Sequence, residues 1–227
     1  MPARKILRNY RSVTGLIPSR KKAEPEHKPY ESPLERDLYL LLEFDDRVLD
    51  YEPQPYRIDY KRPDGRSEEY YPDTLIHYRP VSAGVPPPRN LLVEVKPREE
   101  LKQFWADYEP AFRAAWRFAL ERGWGFRLMT EREIRSPYLE NLRFLIRYRS
   151  LKPNLEVESK LRDYLAKHGG RNALHFLEDT YAERIDRAKA IPYMWRLLAK
   201  RLIHADLTTP LNMRTPLWNS ATMKPQK

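Results

Sequence analysis

The first sustained hydrophobic period begins just after Ser32. Leu34, Leu38, Leu41 and Leu42 fall on one face at helical spacing. Ser32 can cap this helix, with Pro33 at its first position and Glu35 in the capping-box place, and the helix should end near Phe44–Asp46. Short β-rich stretches follow at Val48–Pro53, Tyr56–Tyr60, Glu69–Tyr78 and Leu91–Val95. Arg62-Pro63-Asp64-Gly65-Arg66 is a turn signal that predicts a hairpin between the second and third of these. Leu91-Leu92-Val93-Glu94-Val95 reads as a buried strand after the Pro/Gly-rich connection Pro80–Asn90. A helix from about Leu101 to Arg122 should carry Phe104, Trp105, Tyr108, Phe112, Ala115, Trp116 and Ala119 on its apolar side, with Pro110 kinking or dividing it. Gly123 stops it. A strand at Trp124–Met129, the segment Thr130–Ile134 and a helix at Tyr138–Tyr148 complete an α/β unit.

The last third has a different grain. Asn154 can cap a helix through Leu155, Leu161 and Leu165, ended by Gly169-Gly170. Short helices are expected at Asn172–Leu177, Ala182–Ala190 and Tyr193–Leu202, a pattern similar to a helix-turn-helix or winged-helix module. Residues 1–30 show no sustained period and carry four prolines, so they read as a largely unstructured arm. The expected organisation is a basic flexible arm at 1–29, an α/β domain at 30–150, a small helical domain at 151–210 and a tail at 211–227.

Composition narrows the chemistry. The 227 residues include no cysteine, which excludes a disulfide scaffold, a thiolate metal site and a cysteine nucleophile. Seven glycines leave no phosphate-cradling loop. No apolar run approaches the roughly 18 residues needed to span a bilayer. The charged N-terminus has no signal-like apolar stretch, and a cytoplasmic location is expected. The net charge of +10 divides unevenly: residues 1–30 carry +6, residues 31–149 carry −2 and residues 150–227 carry +6. Basic flanks suit a polyanion, and an acidic middle suits divalent cations.

The acids of that middle have a specific arrangement. Pro72-Asp73 precedes Glu94-Val95-Lys96, and strand alternation puts Glu94 and Lys96 on one face. Two acids and a lysine at neighbouring strand ends can hold Mg²⁺, activate water and stabilise charge on a phosphodiester. This is the Asp…Glu-x-Lys pattern of the restriction-endonuclease-like fold. Glu35, one turn into the first helix, is a candidate third acid, although its position favours glutamate for capping alone.

Four segments together resemble the TnsA family, the endonuclease subunit of heteromeric, Tn-seven-like transposons. They are Tyr30-Glu31-Ser32-Pro33-Leu34-Glu35, Tyr71-Pro72-Asp73, Leu92-Val93-Glu94-Val95-Lys96 and Gly125 through Ile134. The resemblance implies an α/β restriction-endonuclease-like nuclease domain with a small, mainly α-helical, winged-helix-like C-terminal domain. It implies Mg²⁺-dependent cleavage of the 5′ strands at transposon ends, with Mn²⁺ able to substitute. Glu35, Asp73, Glu94 and Lys96 are the catalytic set it implies, and Asp73, Glu94, Glu35 and the Val95 backbone carbonyl the metal ligands. The implied partners are double-stranded DNA, a TnsB-like DDE transposase and a TnsC-like AAA+ regulator, the last touching part of residues 150–227. Arg4, Lys5, Arg8, Arg11, Arg20, Lys21 and Lys22 are expected to contact DNA phosphates. The alternatives are a stand-alone restriction-like or repair endonuclease and a non-catalytic DNA-binding adaptor.

Other residues carry weaker signals. His77 shares strand parity with Asp73 but reads first as an ordinary hydrogen-bonded histidine. Gln103, soon after Lys96, is a candidate lining residue. Trp105, Trp116 and Trp124 read as core rather than as base-stacking platforms.

Overall fold

The computed structural model describes residues 13–22, 24, 26–80 and 84–219, which divide into two compact units, residues up to Arg135 and residues from Ser136 onward. Arg4, Lys5, Arg8 and Arg11 lie outside the described residues.

The first unit opens with an antiparallel hairpin of β1 (Gly15–Ser19) and β2 (Glu26–Tyr30). For the described residues of that segment this corrects the expectation of an unstructured arm. The reason is charge pairing with other elements. Lys28 is buried, pairs with Asp50 at 3.0 Å and lies over the Tyr51 ring at 5.2 Å. Lys22 pairs with Asp50 at 3.1 Å, and the Lys21 ammonium donates to the Asp45 carbonyl at 2.7 Å. Charges that read as a solvated run therefore fasten the hairpin. Pro18 and Pro29 are tolerated because a two-stranded ladder has only edges.

Helix α1 (Pro33–Phe44) starts as its sequence dictates: the Ser32 hydroxyl accepts the Glu35 N–H at 3.1 Å and Pro33 occupies the first turn. The Glu35 carboxylate reaches back one residue further than a capping box requires, accepting the Glu31 N–H at 2.9 Å. Ser32→Ala should lower the unfolding free energy by about 1 kcal/mol, read as a lower urea midpoint with an unchanged slope.

Four strands form the central sheet: β3 (Val48–Pro53), β6 (Thr74–Tyr78), β7 (Leu91–Val95) and β8 (Gly125–Met129), in that spatial order. Between β3 and β6 the chain makes a separate antiparallel hairpin, β4 (Ile58–Lys61) and β5 (Ser67–Tyr70). The expected strand Glu69–Tyr78 is thus split at Pro72-Asp73. β3, β6 and β7 run antiparallel, whereas β7 and β8 are parallel because helix α2 (Arg98–Glu121) carries the chain back between them.

Alternation sends the two sheet faces to different helices. Leu75 and Leu92 pack with Ile58, Ala114, Ala115 and Ala119 on the α2 side. On the other face Thr74 donates to the Tyr39 hydroxyl, and Tyr39 lies 5.0 Å from the Tyr51 ring. Helix α2 approaches through Ala111, Ala114, Ala115 and Ala119, and small residues permit that close approach. Trp105 and Trp116 are left about half exposed, which corrects their assignment to the core. The irregular residue of α2 is Phe104 (φ −119°, ψ 23°), not Pro110, which stays within the helix. Trp124 does pack inward, against Tyr56 and Phe118. A four-residue helix, α3 (Glu131–Ile134), follows β8 with a reciprocal cap between Thr130 and Glu133.

The second unit is mainly helical: α4 (Pro137–Leu145), α5 (Leu155–His168), α6 (Ala173–Thr180) and α7 (Arg184–Ala199). The helix read as the end of the nuclease-like domain belongs here. Asn154 and Asn172 cap α5 and α6, and Gly169, at φ 68°, ends α5 in a conformation that favours glycine. The two short helices expected at Ala182–Ala190 and Tyr193–Leu202 are one. Pro192 forfeits a single backbone bond inside α7, and the helix continues through it with Ala190, Met194, Trp195, Leu197 and Leu198 buried. Arg196 pairs with buried Glu158 at 2.7 Å and donates to the Leu151 carbonyl. A two-stranded ladder joins β9 (Arg171–Asn172) to β10 (Pro216–Leu217), so part of the expected tail is structured. Among the described residues no helix is long and apolar enough to cross a membrane.

Candidate functional site

β6 begins at Thr74 opposite Val93 of antiparallel β7. Asp73, just before β6, therefore stands beside the C-terminal end of β7, where Glu94, Val95 and Lys96 lie. A separation of 21 positions in sequence becomes adjacency at one end of the sheet. The Asp73 carboxylate accepts the Val95 N–H at 2.7 Å, taking the place of a ladder bond. A residue's N–H and C=O leave a strand on the same edge, so the Val95 carbonyl faces the gap that Asp73 occupies.

Glu94 is 2% exposed, and both its oxygens have partners. One meets the Lys96 ammonium at 2.9 Å, and the other accepts the Tyr70 hydroxyl. Lys96 also lies over the Tyr108 ring at 5.8 Å, and Tyr108 donates to Glu100 at 2.6 Å. Glu35, likewise buried, lies within electrostatic reach of Asp73 and Lys96. A cleft of about 390 Å³ opens beside this cluster, reached by Val95 and Lys96 and lined also by Glu35, Arg98, Glu100, Glu131 and Arg135. The cleft sits beyond the carboxyl ends of the parallel pair β7–β8, where open α/β sheets bind ligands.

The electrostatics are those of a site short of positive charge. Burial, then the negative charges of Glu94 and Glu35, hold the Asp73 carboxyl well above the usual range, against the pull of Lys96 and the Val95 N–H. Burial also pushes the Glu35 carboxyl up, opposed by its hydrogen bonds to Glu31 and Ser32. Burial pulls the Lys96 ammonium down, but the charges of Asp73 and Glu94 outweigh it, and its pKa is raised. Burial and the charges of Glu94 and Asp73 keep the Tyr70 phenol protonated and hence a donor.

The backbone beside the site is also unusual. Gln54 has φ 41°, a left-handed conformation that costs a non-glycine residue on the order of 1–3 kcal/mol. Its N–H donates to the Asp73 carbonyl at 2.8 Å and its amide donates to Glu31 at 2.9 Å. These bonds tie the segment before β6 to the start of α1.

Other sequence candidates fall elsewhere. His77 bonds Glu52 at 2.6 Å on β3 and plays no part in the cluster. Gln103 is exposed on α2. Lys21 and Lys22, in the β1–β2 connection, are engaged by the Asp45 carbonyl and by Asp50 of β3, and Arg20 donates its N–H to Glu43 at 3.1 Å. Sequence reading missed Tyr70, Tyr108 and Glu100. A tyrosine-rich strand does not reveal which hydroxyl turns inward, and the Glu100–Tyr108 bond spans the irregular turn at Phe104. Among the described residues no three His, Asp or Glu side chains are grouped closely enough to hold a metal ion by themselves.

Two family models match the chain. The model described as TnsA-like endonuclease N terminal matches residues 45–131, which include Asp73, Glu94 and Lys96 and begin after Glu35. The model described as TnsA endonuclease C terminal matches residues 133–207, most of the helical unit. Comparison with curated proteins gives no match. The two matches are consecutive, fall in family order and lie almost wholly one on each compact unit. The chain belongs to the TnsA family of transposon-associated endonucleases.

Proposed function

We propose that this chain is a Mg²⁺-dependent DNA endonuclease that hydrolyses the 5′ strands at transposon ends, alongside a TnsB-like DDE transposase that cuts the 3′ strands. The observation that carries the reading is the meeting of Asp73, Glu94, Val95 and Lys96 at one sheet end, with Val95 and Lys96 on the wall of an open cleft. The donor set fits the ion. It is all oxygen, as hard cations prefer, and Mg²⁺ is commonly held by one or two carboxylates plus water and substrate phosphate, not by an all-protein cage. The raised Asp73 and Glu35 carboxyls are a charge deficit that a divalent cation would relieve.

Asp73 and Glu94 would hold the ion, with the Val95 carbonyl beside them. Bound there, it supplies Lewis-acid polarisation of the phosphodiester and acidifies water. Lys96, kept charged by the acids around it, would stabilise negative charge growing on the phosphate. Glu35, at the cleft wall with a raised carboxyl, is placed to take up a proton from the attacking water. Arg98 and Arg135, also on that wall, would meet the DNA backbone, a contribution weakened by salt and indifferent to sequence. The helical unit would serve partner contact, including a TnsC-like regulator, and its small β9–β10 ladder is the counterpart of the wing in a winged-helix reading.

The test is strand cleavage on end-containing duplexes in Mg²⁺. The chain alone should cut weakly or not at all, and a TnsB-like partner should confer site-specific 5′ cleavage. Robust sequence-specific cutting by the chain alone would replace this reading with the stand-alone endonuclease.

A further inference from the structure

The β4–β5 hairpin stands outside the central sheet, yet its last residue reaches the acid cluster at the sheet end. Tyr70 ends β5, opposite Ile58 of β4, and its hydroxyl donates to the Glu94 carboxylate. We propose that Tyr70 is a positioning residue that fixes Glu94 for a divalent cation, an inference that rests on the metal-dependent reading above.

Three observations carry it. The terminal torsion of a glutamate is broad, so burial alone does not decide which oxygen faces which way. Here two partners decide it: Tyr70 takes one oxygen, and Lys96 takes the other at 2.9 Å. Second, these partners differ in rigidity. The Lys96 ammonium sits on a flexible stem with a side chain 24% exposed, so it can yield its oxygen to an incoming cation. The Tyr70 ring cannot move comparably, because it packs with the core cluster and meets Phe112 edge-on at 6.3 Å. Third, the hairpin is fastened to the helix that covers the site. Arg62 bridges Glu68 at 3.0 Å and Asp107 of α2 at 3.2 Å, and Tyr60 donates to Glu68 at 2.7 Å. The neighbouring Tyr71 turns its hydroxyl to exposed Glu69 at 3.1 Å, so the two adjacent tyrosines have separate destinations.

Outer partners of metal-binding carboxylates typically contribute about 10–100-fold in affinity or activity. Tyr70→Phe removes the hydroxyl and keeps the ring. Titration calorimetry of the DNA-free protein with Mn²⁺ should show binding weakened about 10–100-fold. In cleavage assays with the partner, half-saturation should move up by a similar factor for the cation and stay unchanged for DNA. The melting temperature in EDTA should stay within a few degrees of wild type, and Tyr71→Phe should leave every readout unchanged. Wild-type Mn²⁺ affinity in Tyr70→Phe would overturn the inference and leave the nuclease reading standing. A collapse of melting temperature, or a parallel loss of DNA affinity, would assign Tyr70 a purely structural role and overturn it equally. Absence of Mn²⁺ binding by the wild-type protein would overturn the metal-dependent reading and this inference with it.

Discussion

Asp73→Asn is expected to abolish strand cleavage, a loss of at least ~10³-fold, equivalent to about 4 kcal/mol of barrier, while making the cation-free protein more stable. The opposed signs follow from one residue's surroundings. Asp73 is buried against Glu94 and Glu35, which raises its carboxyl well above the ordinary range. An amide of the same shape still accepts the Val95 N–H but carries no charge to be repelled. A carboxyl raised in the folded state contributes stability that is complete below its unfolded pKa of about 3.9 and is lost as pH rises through the folded value. Glu35 has the same sign. Wild-type melting temperature in EDTA should therefore fall from acid toward neutral pH, insofar as these two groups control it. Asp73→Asn should flatten that slope and melt higher at neutral pH, as expected where a functional site is kept at the expense of stability. Cleavage near the wild-type rate by this variant would refute the assignment of Asp73.

Lys96→Ala should lose cleavage by ~10²–10³-fold, as when one preorganised stabilising group is removed. It should also destabilise the cation-free protein by about 3–5 kcal/mol, since breaking a buried pair strands its partner charge. Lys96 is the cation that directly pairs with Glu94, and its charge also opposes the raised carboxyls of Asp73 and Glu35. The two defects should respond differently to divalent cation. Millimolar Mg²⁺ should restore much of the stability, because an ion that binds only the folded state adds about 2.7 kcal/mol at 100 times its dissociation constant. It should not restore the rate, because the ion cannot supply the lysine's charge at the phosphate. Thermal melts with and without Mg²⁺, set beside single-turnover cleavage, separate the effects. A variant equally stable in EDTA, or one whose activity returns with Mg²⁺, would contradict this account of Lys96.

Much of this site was legible in one dimension because its parts obey local rules. Ser32, Pro33 and Glu35 announce a helix start through capping chemistry that needs nothing beyond the next turn. Leu91 through Val95 is bounded as read, and alternation puts Glu94 and Lys96 on one face, as their 2.9 Å ion pair shows. The turn at Arg62–Arg66 pairs β4 with β5 as its residues dictate. The errors came where contacts of long sequence separation decide. Residues 13–30 look like a solvated basic arm until Asp50 and the Asp45 carbonyl, on other elements, engage their lysines. Helix α2 buries Phe112, Ala115 and Ala119 as its spacing suggests, but packing turned the contact face toward Ala111 and Ala114 and left Trp105 and Trp116 about half exposed. The break expected between Ala190 and Tyr193 disappears, and α7 runs through Pro192 with packed residues on either side.

The sequence by itself determined the ingredients: an oxygen-only donor set in a chain without cysteine, an acidic middle between basic flanks, and motifs enough to mark the TnsA family. Capping, alternation and composition act over a few residues and can be read directly. Only the tertiary structure decided that Asp73 meets Val95, that Tyr70 rather than Tyr71 reaches Glu94, and that Lys96 lies over Tyr108 within reach of the Glu100 charge. Those pairings depend on strand register and on how a hairpin and a helix pack over one sheet end, and burial there turns ordinary surface acids into groups with displaced pKa values.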